Sequence, residues 1–211
     1  MLIAEKLALV AFEPETGHPD QLTNTNYSGA GIAVLLTAEL ALRGAVAVVG
    51  LSITVPEQRV DDPLLESVRL ALAQHPDTDL AQQVRRMSLA IGGAWHEILG
   101  RLEQDGLIIR EVEPRRPPLH RARHDVDRAA RDSVLAEIDR AARHDPATEC
   151  LILVLVPANL RKQGVPDKLI RKSVRSRIRA DADPAIVGDS AAAIVHGFRH
   201  HMARFVTRDP R

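Results

Sequence analysis

The sequence predicts a mainly α-helical fold, a single compact domain over residues 1–211 with a hydrophobic central helix and short β-hairpins. Aromatic residues make up only 2% of the chain, whereas hydrophobic residues reach 45%. The core must therefore be built from Leu, Ile, Val and Ala, and this composition favours helices. At 211 residues the chain is long enough to bury such a core within one domain.

The first two helices are the clearest elements in the sequence. An apolar pattern at helical spacing runs from Ile3 to Ala11 and ends before Pro14. The second helix is apolar on nearly every face and runs to Arg43, with Gly44 as the residue after its C-cap. Because a helix that is apolar all round must be covered on all sides, we expect it at the centre of the domain.

One carboxylate interrupts the central helix. Glu39 precedes Arg43 by four residues, which is the order in which an acid and a base on one helix attract each other best. We therefore expect an ion pair between them. Asn24, Asn26 and Ser28 are alternative N-cap residues for the same helix.

Shorter elements follow the central helix. Segments over 45–49 and 51–55, rich in β-branched residues and separated by a glycine, predict a small hairpin. Asp61 or Asp62 then caps a helix that begins at Pro63. The remaining predicted elements are helices over residues 79–89, 95–104, 125–141, 166–179 and 185–206, a strand over 107–113, a proline-rich loop over 113–119, and a buried strand or buried helix over 151–156.

The formal net charge is zero, but the two halves of the chain differ. Residues 1–105 contain 7 Lys and Arg against 14 Asp and Glu, whereas residues 106–211 contain 21 against 14. The second half also holds six of the nine histidines, so it becomes more positive as the pH falls. A basic surface on a neutral protein predicts an anionic partner, and membrane lipid headgroups and nucleic acid are the two main classes.

The predicted helix over 166–179 is the most suggestive element of the basic half. It has a narrow apolar stripe between basic faces, which is typical of a helix that meets an anionic surface. The candidates for facing a membrane are Lys168, Arg171, Lys172, Arg175 and Arg179. One alternative is a surface helix that packs its stripe on the core and leaves its basic face in water. The other is a nucleic-acid-binding surface in the same half, although interleaved aromatic residues are missing.

Patterns for catalysis and metal binding are weak. His196 and His200 stand four residues apart, but no acidic residue lies between them and no third ligand is evident. Cys150 is the only cysteine, which excludes an internal disulfide and predicts a buried, reduced thiol. The glycine pattern at 28–31 lacks the strand and the spacing of a phosphate-binding loop. We therefore predict no catalytic residues, no metal and no cofactor.

The sequence also predicts the location of the protein. Glu5 and Lys6 interrupt the first apolar segment, so we expect neither an export signal nor an anchor there. The longest apolar run, from Gly29 to Leu42, contains an acid and is shorter than the ~20 residues that cross a bilayer. We expect a cytoplasmic protein whose membrane contacts are peripheral.

Five segments in order carry a family resemblance: LIAEKLALVAF, ELALRG, the apolar hairpin, DDPLLESV and RLEQDGLI. This order resembles the Golgi phosphoprotein 3 family, including its bacterial members, best over residues 1–115. The resemblance implies a mainly helical domain without catalytic activity. Eukaryotic members resemble peripheral membrane adaptors that bind phosphatidylinositol 4-phosphate and cytosolic tails of glycosyltransferases. Implied partners are therefore an anionic lipid, a membrane-protein tail and further copies of the chain.

The resemblance also indicates where a lipid headgroup would bind. The family's headgroup tryptophan corresponds to the region 24–27, its neighbouring arginine to about Ala33, and two further basic residues to the vicinity of Gly92 and Trp95. None of the four positions carries the family's residue. The candidates that replace them in contacts with a headgroup are Tyr27, Arg85, Arg86 and Trp95. The ELALRG segment is implied to be structural.

Overall fold

The computed structural model describes residues 1–12, 17, 25–49, 52–74, 82–83, 93–112, 122–140, 146–155 and 188–195. Its elements are α1 (Ile3–Ala11), α2 (Thr25–Leu42), β1 (Ala47–Val49), β2 (Ser52–Thr54), α3 (Pro63–Ala73), α4 (Ala94–Gln104), β3 (Ile108–Val112), β4 (Ala122–Val126), α5 (Arg128–Arg140) and α6 (Pro146–Leu155). Residues 82–83 and 189–195 are also helical. The strands form two antiparallel two-stranded sheets. The mainly α fold with short hairpins is thus confirmed.

The helix α2 lies at the centre of the described fold. Residues 31–38 and Leu40 are buried, and α2 packs against α1, α3, α4 and α6. The one hydroxyl in this stretch, that of Thr37, donates to the carbonyl oxygen of Ala33 at 2.7 Å, so its burial leaves no unpaired donor. The predicted central position of this helix is confirmed.

Two helices end in the same way. The N–H of Gly44 donates to the carbonyl of Ala41 at 3.0 Å, and the N–H of Ala45 donates to Leu40 at 2.8 Å. These bonds close the last turn only if the residue after the C-cap takes a positive φ, which Gly44 does at 70°. Gly106, with a φ of 71°, ends α4 through the same pair of bonds. The end of α2 at Gly44 agrees with the sequence prediction.

The start of α3 resolves the choice between two candidate caps. Asp62, not Asp61, is the N-cap residue, and its Oδ1 accepts the N–H groups of Leu64 at 2.9 Å and Leu65 at 3.1 Å. Pro63 follows at the first helical position, where the missing N–H costs nothing.

The β1–β2 hairpin is held at both outer edges by side chains from distant segments. Val48 and Ile53 are opposite each other in the register, and their N–H groups point away from the hairpin. The N–H of Val48 donates to Ser190 Oγ at 2.9 Å. The N–H of Ile53 donates to Gln83 Oε1 at 3.2 Å. The predicted hairpin is confirmed, and both of these amides are satisfied.

The prediction of one helix over 125–141 is wrong at its start. Residues 122–126 form β4, which pairs with β3 so that Val126 lies opposite Ile108. Asp127 then accepts the N–H of Ala130 at 2.7 Å, and α5 begins at Arg128. Pairing with the predicted strand after Gly106 overrides the helical spacing that Val126 shares with the following residues. The predicted loop over 113–119 lies outside the described residues.

The apolar segment LILVLV belongs to a helix rather than a strand over its described residues. Residues 151–155 are the second half of α6, which begins at Pro146 and packs against α1 and α2. Of the other predicted helices, 95–104 is confirmed as α4, residues 82–83 and 189–195 are helical as predicted, and 166–179 lies outside the described residues.

Buried apolar side chains from most of these elements form one cluster, which extends along the sequence from Leu2 to Val195. An ion pair between Lys6 and Glu137 joins α1 to α5 at the edge of this cluster. None of the helices in the described ranges combines the length and the apolar character that crossing a bilayer requires.

Candidate functional site

Most of the predicted lipid contacts lie outside the part of the chain that the structure describes. This holds for Arg85 and Arg86 and for the basic candidates Lys168, Arg171, Lys172, Arg175 and Arg179. Tyr27 lies in the first turn of α2, where the backbone but not the side chain is described. Trp95 is fully described, and the candidate site is therefore built from its surroundings.

Trp95 belongs to a cluster of three rings that joins α1, α4 and β4. It is the second residue of α4 and is half-buried against the core. Its ring stacks on that of Phe12, with centroids 6.0 Å apart, and Phe12 also contacts the ring of His124 at 4.8 Å. Such ring pairs stabilise a fold by about 0.5–1.5 kcal/mol beyond the area they bury. One face of Trp95 is therefore covered by Phe12, and the residue is only partly exposed.

The first turn of α4 places polar groups beside Trp95. Gly93 is the N-cap residue and supplies no side-chain cap, and Gly93, His96 and Glu97 are exposed. The N–H groups at this end of a helix carry a partial positive charge. Glu97 opposes that charge, although Arg101 lies 3.2 Å from its Oε1. This turn thus places a partly exposed aromatic ring beside the N-terminal end of a helix.

Further along α4, Arg101 connects three elements of the fold. Its guanidinium donates to both carboxylate oxygens of Asp62, at 2.8 and 3.0 Å, and thereby joins α4 to the N-cap of α3. It also lies 3.8 Å from Glu5 of α1. Sequence reasoning did not single out Arg101, because its partners are distant in the chain. The available signal was that Glu5, Asp62 and Arg101 each lie in a segment that carries the family resemblance.

The electrostatics of this cluster favour the charged forms. Burial raises the pKa of Asp62, but hydrogen bonds from Arg101 and from the amides of Leu65 and Leu64, with the charge of Arg101, outweigh it and lower the pKa below its usual value. The same hydrogen bond raises the pKa of Arg101. Asp62 therefore remains ionised while it both caps α3 and binds α4, which is a structural role.

A second carboxylate–arginine pair lies at the start of α1. Arg43 Nη2 donates to Glu39 Oε1 at 2.7 Å, so the predicted ion pair is confirmed. The other oxygen of Glu39 accepts the N–H of Ile3 at 2.8 Å. The acid in the central helix is thus held by Arg43 and caps an otherwise open amide of α1.

The model of the Golgi phosphoprotein 3 (GPP34) family matches residues 3–197 of the chain. The chain belongs to this family. No curated protein matches it at a significant level. The family match extends well beyond residues 1–115, where the sequence resemblance is strongest, and includes the basic segment 166–179.

For a Golgi phosphoprotein 3 family member, the environment of Ala33 is informative. The sequence resemblance implies that the family's headgroup arginine corresponds to about this position, and Ala33 is completely buried in the core. A ligand in solvent therefore cannot reach the side chain at this position. Trp95, which lies near another pocket position that the resemblance implies, is partly exposed, unlike Ala33.

The weak patterns for metals and catalysis gain no support from the described residues. Among those residues, no group of three or more His, Cys, Asp and Glu is placed so that it could hold a metal ion. His196 and His200 lie outside the described residues. Cys150 is fully buried in α6, as predicted for a reduced core thiol.

Proposed function

We propose that this chain is a non-enzymatic peripheral membrane protein, an adaptor-like family member that binds anionic lipid headgroups. The observation that carries the proposal is the family match over residues 3–197. It is supported by the resemblance, which implies phosphoinositide-binding adaptors without catalytic activity. Because the family's pocket residues are replaced, the lipid class proposed here is any anionic phospholipid. A membrane-protein tail is a further proposed partner.

The charge distribution supports this proposal. Residues 106–211 carry 21 Lys and Arg against 14 Asp and Glu. Each basic residue near an anionic bilayer contributes ~1 kcal/mol of attraction, so a cluster binds without a dedicated pocket. Salt screens such attraction over roughly 8–10 Å at physiological ionic strength. The proposal therefore requires that membrane binding weaken as salt is added.

The environment of Trp95 supports a location for headgroup contact. A partly exposed tryptophan in the first turn of a helix suits the boundary between water and lipid, because its ring is apolar and its N–H is polar. Tyr27, Arg85 and Arg86 remain predicted contacts. The five basic residues of 166–179 remain predicted membrane-facing residues.

Vesicle flotation tests the proposal directly. The protein is mixed with phosphatidylcholine vesicles, with or without phosphatidylglycerol or phosphatidylinositol 4-phosphate, at low and at high salt. We expect flotation with both anionic mixtures, none with phosphatidylcholine alone, and release by salt. The double variant R85E/R86E should float less, whereas R59E, which reverses an exposed charge in the acidic half, should float like the wild type.

Two outcomes would contradict the proposal. Failure to float with any anionic vesicle would remove it. Salt-steep binding to duplex DNA in a gel shift, without vesicle binding, would favour the alternative of a nucleic-acid-binding surface in the basic half.

A further inference from the structure

The two described hairpins have four outer strand edges, and three of these edges are closed by other groups of the fold. In the β1–β2 hairpin, the outward N–H at the centre of each strand is bonded to a side chain from a distant segment. On β4, the N–H of His124 points away from β3 and donates to the carbonyl of Gly17 at 2.7 Å. Among the described strands, the outer edge of β3 is the remaining one.

The outer edge of β3 is open at its centre. The N–H of Asp127 donates to the carbonyl of Leu107 at 2.9 Å, and this bond, with the register, fixes which residues of β3 bond to β4. By the alternation of an antiparallel pair, the N–H and C=O groups of Ile108, Arg110 and Val112 lie on the outer edge. Arg110 is exposed, and within the described fold no hydrogen bond reaches its outward backbone groups.

The side chains of β3 give this edge a chemical character. Arg110 lies on the same face of the hairpin as Ile108, whereas Ile109 and Glu111 lie on the other face. Ile109 is 61% exposed, and Glu111 is exposed as well. Between neighbouring strands, opposite charges and apolar pairs stabilise the sheet, and like charges directly opposite each other destabilise it. The edge therefore favours a strand with an acid opposite Arg110 and an apolar residue opposite Ile109.

We propose that the outer edge of β3 binds an extended peptide segment of another protein, which adds a third strand to the β3–β4 hairpin and places an acidic residue opposite Arg110 and an apolar residue opposite Ile109. Outward N–H and C=O groups on alternate residues of a strand are complementary to another extended backbone. The inference goes beyond the proposed lipid binding and does not depend on it.

Two other occupants fit this edge less well. Antiparallel pairing of β3 with a second copy over the whole strand, about a two-fold axis, places Arg110 opposite its own copy, which is unfavourable. A bilayer interior offers no hydrogen-bond partners to an open strand edge. Charged residues on an edge strand repel strands that do not complement them, so Arg110 and Glu111 restrict which peptides can pair.

Peptide binding measured by fluorescence anisotropy tests the inference. The probe is a fluorescein-labelled peptide of four Val-Asp repeats, whose extended form places all aspartates on one face and all valines on the other. We expect the wild type to bind this peptide and not the matching peptide of four Val-Lys repeats. R110E should reverse this preference. R59E, which reverses an exposed charge away from the hairpin, should behave like the wild type.

A second set of measurements tests whether the backbone edge is used. R110P removes the outward N–H of Arg110 without removing a bond to β4, and it should weaken binding of the Val-Asp peptide about tenfold. Far-UV circular dichroism and the fluorescence of Trp95 check that R110P and R110E are folded. On the peptide, N-methylation of either all aspartate amides or all valine amides blocks one of its two edges. One of these two peptides should lose binding and the other should keep it.

The outcomes are distinct. The inference is overturned if the wild type binds neither repeat peptide, if R110P and R110E bind the Val-Asp peptide as the wild type does, or if the two methylated peptides bind equally. A dimer in analytical ultracentrifugation that R110P dissociates would show that a second copy occupies the edge, and would also overturn it. Vesicle flotation forms no part of this test, so the peptide site and the proposed lipid binding can fail separately.

Discussion

Glu39 is tolerated in an apolar helix because both of its carboxylate oxygens accept hydrogen bonds. The donors are the guanidinium of Arg43 and the N–H of Ile3. The sequence predicted its pairing with Arg43, four residues away. It could not predict the bond from the N–H of Ile3, because that contact spans 36 residues of sequence and depends on how α1 packs on α2. The ion pair alone would be worth a few tenths of a kcal/mol. The bond to Ile3 makes Glu39 a structural residue of α1 as well.

Substitutions at the two ends of this pair should therefore have unequal effects. E39A leaves the part-buried N–H of Ile3 without its acceptor and should lower the free energy of unfolding by ~2 kcal/mol. R43A removes only the exposed ion pair and should cost less than about 1 kcal/mol. Urea unfolding followed by circular dichroism measures both. Equal losses would show that the bond to Ile3 contributes nothing.

The candidate site was predictable from the sequence only in part. The sequence analysis selected Trp95 because it is the only tryptophan and begins a predicted helix, and because the resemblance implies a pocket position near it. Its stacking on Phe12 could not be predicted, because 83 residues separate the two rings and no local pattern encodes their contact. The burial of Ala33 follows from the all-round apolar character of α2, which the sequence does show.

Among the elements, α3 shows how a helix fixes the loop before it. Glu66 accepts two hydrogen bonds from Arg69 and one from the N–H of Val60, and Arg69 also donates to the carbonyl of Pro56. The bonds from Arg69 and Val60 lower the pKa of Glu66 from its ordinary value of 4.5 to about 2. The loop between β2 and α3 is thus attached through a carboxylate that must be ionised.

The stability of this attachment should depend on pH in a defined window. Because the pKa of Glu66 is lower in the folded than in the unfolded protein, its contribution is complete above about pH 4.5 and is lost as the pH falls towards 2. The free energy of unfolding of E66Q should accordingly fall less steeply than that of the wild type between these values. E103Q, at the exposed end of α4, is the matched control. If the free energies of unfolding of E66Q and of the wild type fell in parallel over this pH range, the stabilising role of ionised Glu66 would be contradicted.

The strand β4 is the element that the sequence analysis did not predict. Its residues 122–126 are mostly polar, and Val126 continues the helical spacing of the residues that follow. They form a strand because β3 lies beside them, which is a tertiary cause that no local pattern expresses. A local signal did exist at its end, since Asp127 is a favourable N-cap residue directly before α5.

At the scale of the whole molecule, the fold class followed from composition, but the connections between elements did not. An excess of aliphatic over aromatic residues and a helix apolar on all faces were sufficient to predict a helical fold around α2. The cluster around Arg101 joins Glu5 of α1, Asp62 before α3 and Glu97 of α4. These contacts depend on the final packing, and the sequence shows only that their segments resemble family motifs.

The prediction that the chain is one domain has a direct test in unfolding. The buried cluster includes residues from Leu2 to Val195, so the elements that contribute to it should lose their packing together. Fluorescence of Trp95, the only tryptophan, reports on α4 and on its contact with Phe12, whereas far-UV circular dichroism reports on all helices. We expect the two signals to give the same midpoint and slope in urea, and D62N, which weakens the bonds to Arg101, to shift both equally. A separate transition in circular dichroism, with unchanged fluorescence, would show that part of the chain folds independently of this core.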